Sequence, residues 1–170
     1  MTALSDFRKM KDEFYSSDPQ SPLTDSQKQA FTGLHYYPEN PALKFTLAIE
    51  EHSKKEMVSI QTSKGDVRSY ERFGKITFLV EGKSVSLTIY RAEHGFFLPF
   101  VDNQAGKETY PAGRYLEIEP LADGKYLVDF NMAYNPYCAY NDRWSCPITP
   151  AENRLKVSIR AGEKIYEKHA

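Results

Sequence analysis

Two cysteines and a single tryptophan occur among 170 residues, and no compact apolar run is longer than Phe96-Phe97-Leu98-Pro99-Phe100. Cys138 and Cys146 are too few for a disulfide scaffold. Their spacing is not that of a zinc knuckle, and none of His35, His52, His94 or His169 lies near them, so no metal site is expected. The apolar run is far shorter than a membrane span. An excess of either charge is also lacking. Twenty-two basic against 23 acidic side chains leave a net charge of -1, without a block of like charges, which excludes nucleic acid and anionic membrane surfaces as expected partners. There is no phosphate-cradling glycine loop, no Gly-x-Ser-x-Gly elbow and no His-Glu-x-x-His helix, so no motif names a cofactor or a reaction. Met1-Thr2-Ala3-Leu4-Ser5-Asp6 has no basic end followed by an apolar stretch, and a cytoplasmic protein is the expectation.

What is present is ordinary in bulk and specific in pattern. With 41% hydrophobic and 26% charged residues, the chain suits one soluble domain over 1–170. The first 42 residues read as helical. Phe7, Met10 and Phe14 recur at helical spacing after Ser5, and Thr24-Asp25-Ser26-Gln27 is a capping box opening a second short helix, with Ala30, Phe31 and Leu34 on its buried side. From Leu43 the period becomes two: Leu43, Phe45, Leu47 and Ile49, then Val58 and Ile60, then Ile76, Phe78 and Val80. Glu81-Gly82 turns into Val85, Leu87 and Ile89, and Leu155, Val157 and Ile159 suggest a last strand. Residues 114–119 and 126–131 flank Asp123-Gly124, a strong two-residue turn signal. That register sets Ala122 opposite Lys125 and Arg114 near Ala133, and it brings Arg114 and Asp129 into no direct contact. The expected fold is mainly β: an antiparallel barrel-like sheet or sandwich of about seven or eight strands, with two short N-terminal helices packed on it.

Four runs follow one another in order: Phe97-Leu98-Pro99-Phe100-x-Asp102; Glu108-Thr109-Tyr110-x-Ala112-Gly113-Arg114-Tyr115-Leu116; Asp129-Phe130-Asn131-x-Ala133-Tyr134-Asn135-Pro136-x-Cys138-Ala139-Tyr140; and Cys146-Pro147-x-x-Pro150-x-Glu152-Asn153-x-Leu155. Together they resemble the prokaryotic domain-of-unknown-function family 1684, over almost the whole chain, from Ser21-Pro22-Leu23 to Ala161-Gly162-Glu163. The resemblance implies no substrate and transfers no catalytic residue.

Chemistry is expected where the period-two pattern stops. Residues 131–153 form a connection of roughly twenty residues, a length usually functional when ordered. Its aromatics and prolines favour order, and it reads as a lid between two strands. Asn135-Pro136 and Thr149-Pro150-Ala151-Glu152 each suggest a capped helical turn, with Tyr137, Tyr140 and Trp144 near one face of the first and Asn153 as the exit of the second. Cys138 would then sit in a first turn, where free amides favour a thiolate, with Cys146 as resolving partner; burial as small apolar plugs accounts for both thiols more simply. Arg114 shares a face with Leu116 and Ile118. An inward guanidinium needs either a carboxylate, such as Asp102 or Glu152, or an anionic ligand. Tyr110, Tyr115 and Tyr134, with Asn131, Asn135, Glu152 and Asn153, complete the ligand-binding candidates, and corner-forming tyrosines tied to backbone are the plainer alternative. Three functions stay open: a small-molecule-binding protein for an anionic or carbonyl-bearing ligand, an enzyme using Cys138 as nucleophile or redox centre, and a structural or interaction domain.

Overall fold

The computed structural model describes residues 3–93, 95–141 and 143–166; His94 and His169 lie outside them. Helices α1 (Ala3–Ser17) and α2 (Asp25–Ala30) precede eight strands. These are β1 (Lys44–Ala48), β2 (Glu50–Gln61), β3 (Val67–Val80), β4 (Lys83–Ala92), β5 (Gly95–Phe100), β6 (Arg114–Leu116), β7 (Glu119–Pro120) and β8 (Lys125–Asp129). They make two antiparallel sheets, β2-β3-β4-β5-β6 and β1-β8-β7. The sheets do not close into a barrel; the arrangement is sandwich-like. Rings from both meet in the core, Phe45 and Phe78 at 5.1 Å and Phe78 and Phe130 at 5.2 Å between centroids. Ile76, Leu87, Ile89, Leu98, Phe100 and Val128 fill the space around them, each worth about 1.5–3 kcal/mol when fully buried.

The strongest local patterns form as the sequence predicts. Thr24 accepts from the Gln27 amide and the Gln27 side chain accepts from the Thr24 amide, the reciprocal capping box of α2. Glu81 and Gly82 both have positive φ, 51° and 81°, the two-residue turn whose twist suits the β3–β4 hairpin. Ile76 faces Leu87 and Phe78 faces Val85 across it.

Longer-range expectations change. α2 ends at Ala30, which is exposed; Leu34 is buried beyond the helix and Phe31 half-buried at its end. Asp123-Gly124 is not a two-residue loop. The Leu121 N–H bonds to the Lys125 carbonyl at 2.8 Å around a 3-10 turn, so Pro120 faces Tyr126, one position from the expected register. The expected 114–119 strand divides, Arg114–Leu116 joining β5 and Glu119–Pro120 joining β8. Residues 155–159 form no strand. They run beside Val101 and Asn103, and the Ile159 amide and carbonyl bond to the side chains of Asp102 and Arg114 instead of to a ladder. The 131–153 segment is ordered by 3-10 turns at Phe130–Met132, Tyr137–Ala139 and Ala151–Asn153. Their caps differ from expectation: Pro136 and Pro150 take the N-cap positions without side-chain capping bonds.

Candidate functional site

An open groove of about 1020 Å³ runs between α1, the β6–β8 region and the 131–153 segment. Phe7, Met10, Lys11 and Phe14 form its helical wall, an i, i+3, i+4, i+7 stripe in which one position is a lysine. Tyr115 and Tyr134 lie opposite, and Tyr137, Trp144, Cys146 and Pro147 close one end. The stripe that α1 would bury against a core instead lines open space, and Met10 is 60% exposed. Tyr15, one turn after Lys11 on the same side of the helix, also borders the groove and is buried with Leu23, Leu34, Ala139 and Tyr140, and Phe14 packs on that cluster, which holds α1 against the 131–153 segment. Edge-on contacts at 5.3 Å (Tyr15–Tyr140) and 5.1 Å (Tyr137–Trp144) stiffen that junction.

Lys11 gives the groove its polar point. Its ammonium pairs with the Glu163 carboxylate and lies 5.1 Å from the centre of the Tyr134 ring. The side chains of Lys11 and Glu163 are 15% and 2% exposed. Glu163 is held from the other side by the Tyr140 hydroxyl at 2.6 Å and the Asn135 amide at 3.2 Å. One carboxylate oxygen therefore serves the buried network and the other serves Lys11. Lys11 lines the groove, and an ammonium has three donors, of which the Glu163 pair occupies one. Arg68, donating to the Ser145 carbonyl at 3.0 Å, adds a second cation at the Trp144 end. Burial pushes the hydroxyl ionisation of Tyr115 and Tyr134 well up, so both remain neutral hydrogen-bonding groups at physiological pH.

Residues 29–164 match the model of a protein family described as "Protein of unknown function (DUF1684)". The chain belongs to that family. Among solved structures it is similar to an uncharacterized protein of Haloarcula marismortui, from gene locus rrnAC0354, determined in solution by NMR. The two share 36% identity over 95% of this chain and 91% of that one, with a TM-score of 0.72. No curated protein matches. This family membership carries a fold and no activity.

The geometry divides the residues singled out in the sequence. Tyr115, Tyr134 and Cys146 border the groove. Arg114 does not. It is 1% exposed, its terminal nitrogens donate to the carbonyls of Ile159, Ala161 and Glu163, and Asp102 lies 3.7 Å away. Its inward direction is satisfied by backbone and carboxylate. Asn131 clasps the backbone of Asn40 with both ends of its amide. Asn153, fully buried, joins Thr88 to Pro99 through three bonds. Asn135 donates to the Lys164 carbonyl and supports Glu163 from behind. Glu152 binds Arg72 at 2.7 Å and takes the Tyr90 hydroxyl. Glu152 and Asn153 hold a turn to the five-stranded sheet, Asn131 and Asn135 tie loop segments to one another, and none of the four lines the groove. Tyr110 meets Cys138, its hydroxyl 3.9 Å from the sulfur. Among the described residues no three His, Cys, Asp or Glu side chains gather to hold a metal ion, and no helix is long and apolar enough to cross a membrane.

Sequence reasoning missed Lys11, Trp144 and Glu163 as site residues. One signal was available for the first: a lysine within the apolar stripe of α1 is out of pattern for a face packed on a core. Glu163 sits inside the Ala161-Gly162-Glu163 run, but nothing local says that it meets a lysine 152 positions away.

Proposed function

We propose that this protein binds a small amphiphilic molecule in the groove, its apolar or aromatic body against α1 and the tyrosines and its anionic or carbonyl head at Lys11. The observation that carries this is the open apolar stripe of α1. Phe7, Met10 and Phe14 face a concave, aromatic-lined space, with the largely buried, Glu163-paired ammonium of Lys11 among them. An apolar groove with one convergent polar group is the usual form of a small-molecule site. The mixed walls argue for a ligand with both an apolar and a charged part. Glu117, Glu119 and Asp129, which also line the groove, disfavour a second negative charge there.

Trp144 reports on the site without labelling, because it is the chain's only tryptophan and lines the groove. Titration with decanoate is expected to shift its emission saturably, whereas decanol binds about tenfold more weakly or worse, the loss of a charge-assisted hydrogen bond of about 1.5–3 kcal/mol. Met10→Asp, at an exposed position, weakens decanoate binding while leaving the thermal midpoint near the wild-type value. An unmoved Trp144 spectrum at millimolar decanoate, or equal affinity for acid and alcohol, overturns the reading.

A further inference from the structure

The proposed ligand binding uses neither thiol, although Cys146 borders the groove. Both are free, Cys138 half-buried in the Tyr137–Ala139 turn and Cys146 buried in the stretch that follows Trp144. The turn brings them together. The Cys138 amide N–H points at the Cys146 sulfur, 3.4 Å away, and the Tyr110 hydroxyl donates to the Cys138 sulfur at 3.9 Å. A sulfur that close to the amide of the other cysteine is within side-chain reach of it. The backbone on the Cys146 side is anchored, since Cys146 bonds to Ser63 through both its amide and its carbonyl.

We propose that Cys138 and Cys146 form a reversible dithiol–disulfide site, with Cys138 as the attacking sulfur and Cys146 as the resolving one. The co-reactant is a low-molecular-weight disulfide. Cys138 thiolate attacks one of its sulfurs, forming a mixed disulfide and releasing the first thiolate. Cys146 then loses its proton to solvent and attacks the Cys138 sulfur, releasing the second thiolate. Two electrons pass from the protein dithiol to the small disulfide, and excess small thiol runs the steps backward.

The surroundings separate the two roles. The Cys146 S–H donates to the Cys138 sulfur, and this bond, against the opposing effect of burial, combines with the Tyr110 hydroxyl to hold the Cys138 thiol at about 6. The same bond, reinforced by burial, pushes the Cys146 thiol well up. Tyr110, Tyr115 and Arg68 are the other ionisable groups facing the pair. The tyrosines are kept neutral by burial, and Arg68 is the one cation. Cys138 therefore carries the charge and Cys146 the proton, the division that a two-step exchange requires.

Native protein incubated with glutathione disulfide and followed by intact mass decides the matter. The wild type is expected to lose two hydrogens and keep no adduct. Cys146→Ser, which retains a hydroxyl donor, stops at a glutathione adduct on Cys138. Cys138→Ser reacts on the order of tenfold more slowly than Cys146→Ser. Iodoacetamide labelling of the wild type needs no variant. Its rate at Cys138 rises through a midpoint near 6 and at pH 5.5 exceeds that of an ordinary free thiol by about tenfold, after allowance for the lower nucleophilicity of a more acidic thiol. Labelling only after denaturation, a midpoint in the ordinary thiol range, or equal adduct formation in the two serine variants overturns the proposal.

Discussion

Arg114 illustrates how one side chain can organise a fold's periphery. The segment after Asn153 lacks a strand ladder, and its backbone carbonyls at Ile159, Ala161 and Glu163 converge on a single guanidinium. Asp102 balances the charge and takes the Ile159 and Thr109 donors. Truncation to Arg114→Ala leaves the buried Asp102 carboxylate without its counter-charge and removes the guanidinium donors from three carbonyls. The expected loss is about 3–5 kcal/mol in urea unfolding, the cost of breaking a buried pair from one side. A loss below about 1 kcal/mol would mean that water replaces the guanidinium at that place. The adjacent Gly113 has φ +101°, and a Cβ there would lie 2.5 Å from the Phe100 carbonyl. Gly113→Ala should destabilise by about 2 kcal/mol or more, read as a lowered thermal midpoint with a retained β-sheet spectrum.

At the scale of elements, single polar side chains join turns to sheets. Glu152 fastens the Ala151–Asn153 turn to the five-stranded sheet through Arg72 of β3 and Tyr90 of β4. Burial alone would raise its carboxyl, but the bonds from Arg72 and Tyr90 prevail and hold it below the usual glutamate value. A carboxyl more acidic in the folded than in the unfolded protein contributes stability that is full above its unfolded value, near 4.5, and is lost as pH falls through its folded value. Thermal midpoints of the wild type should therefore fall below about pH 4.5 more steeply than those of Glu152→Gln. Identical slopes would assign the acid sensitivity to other carboxylates. The pair is about one-third exposed on both sides, so the difference stays near or below about 1 kcal/mol.

On the scale of the molecule, the N-terminal helix forms a wall of an open space instead of sealing the core. Its buried side, Tyr15 against Tyr140 and the Leu23–Leu34 cluster, secures it. The same face continues through Phe14 to Met10 and Phe7, which line the groove. Much of this was legible in the sequence and some was not. The β3–β4 hairpin, the α2 capping box and the order of the 131–153 segment follow from residues a few positions apart. The groove does not, because Phe14 at helical spacing has the same pattern whether it meets a core or a ligand. Arg114 was legible as inward-facing and Asp102 as a candidate carboxylate, whereas its carbonyl partners lie 45 to 49 positions away, at and beyond the end of a stretch that reads as a strand.

By itself the sequence determined the β-rich class, the tight turns, the helical start and the membership of a family whose motifs span the chain. These rest on local sterics and period, which a few neighbouring residues settle. Tertiary structure alone decided which sheet takes Arg114–Leu116, that the guanidinium serves backbone, that Lys11 meets Glu163 and that the Cys138 amide meets the Cys146 sulfur. Each of those is a choice among partners distant in the chain. A turn longer than the Asp123-Gly124 pair suggested moves the register by one position, and a buried charge accepts any complement that packing brings within reach.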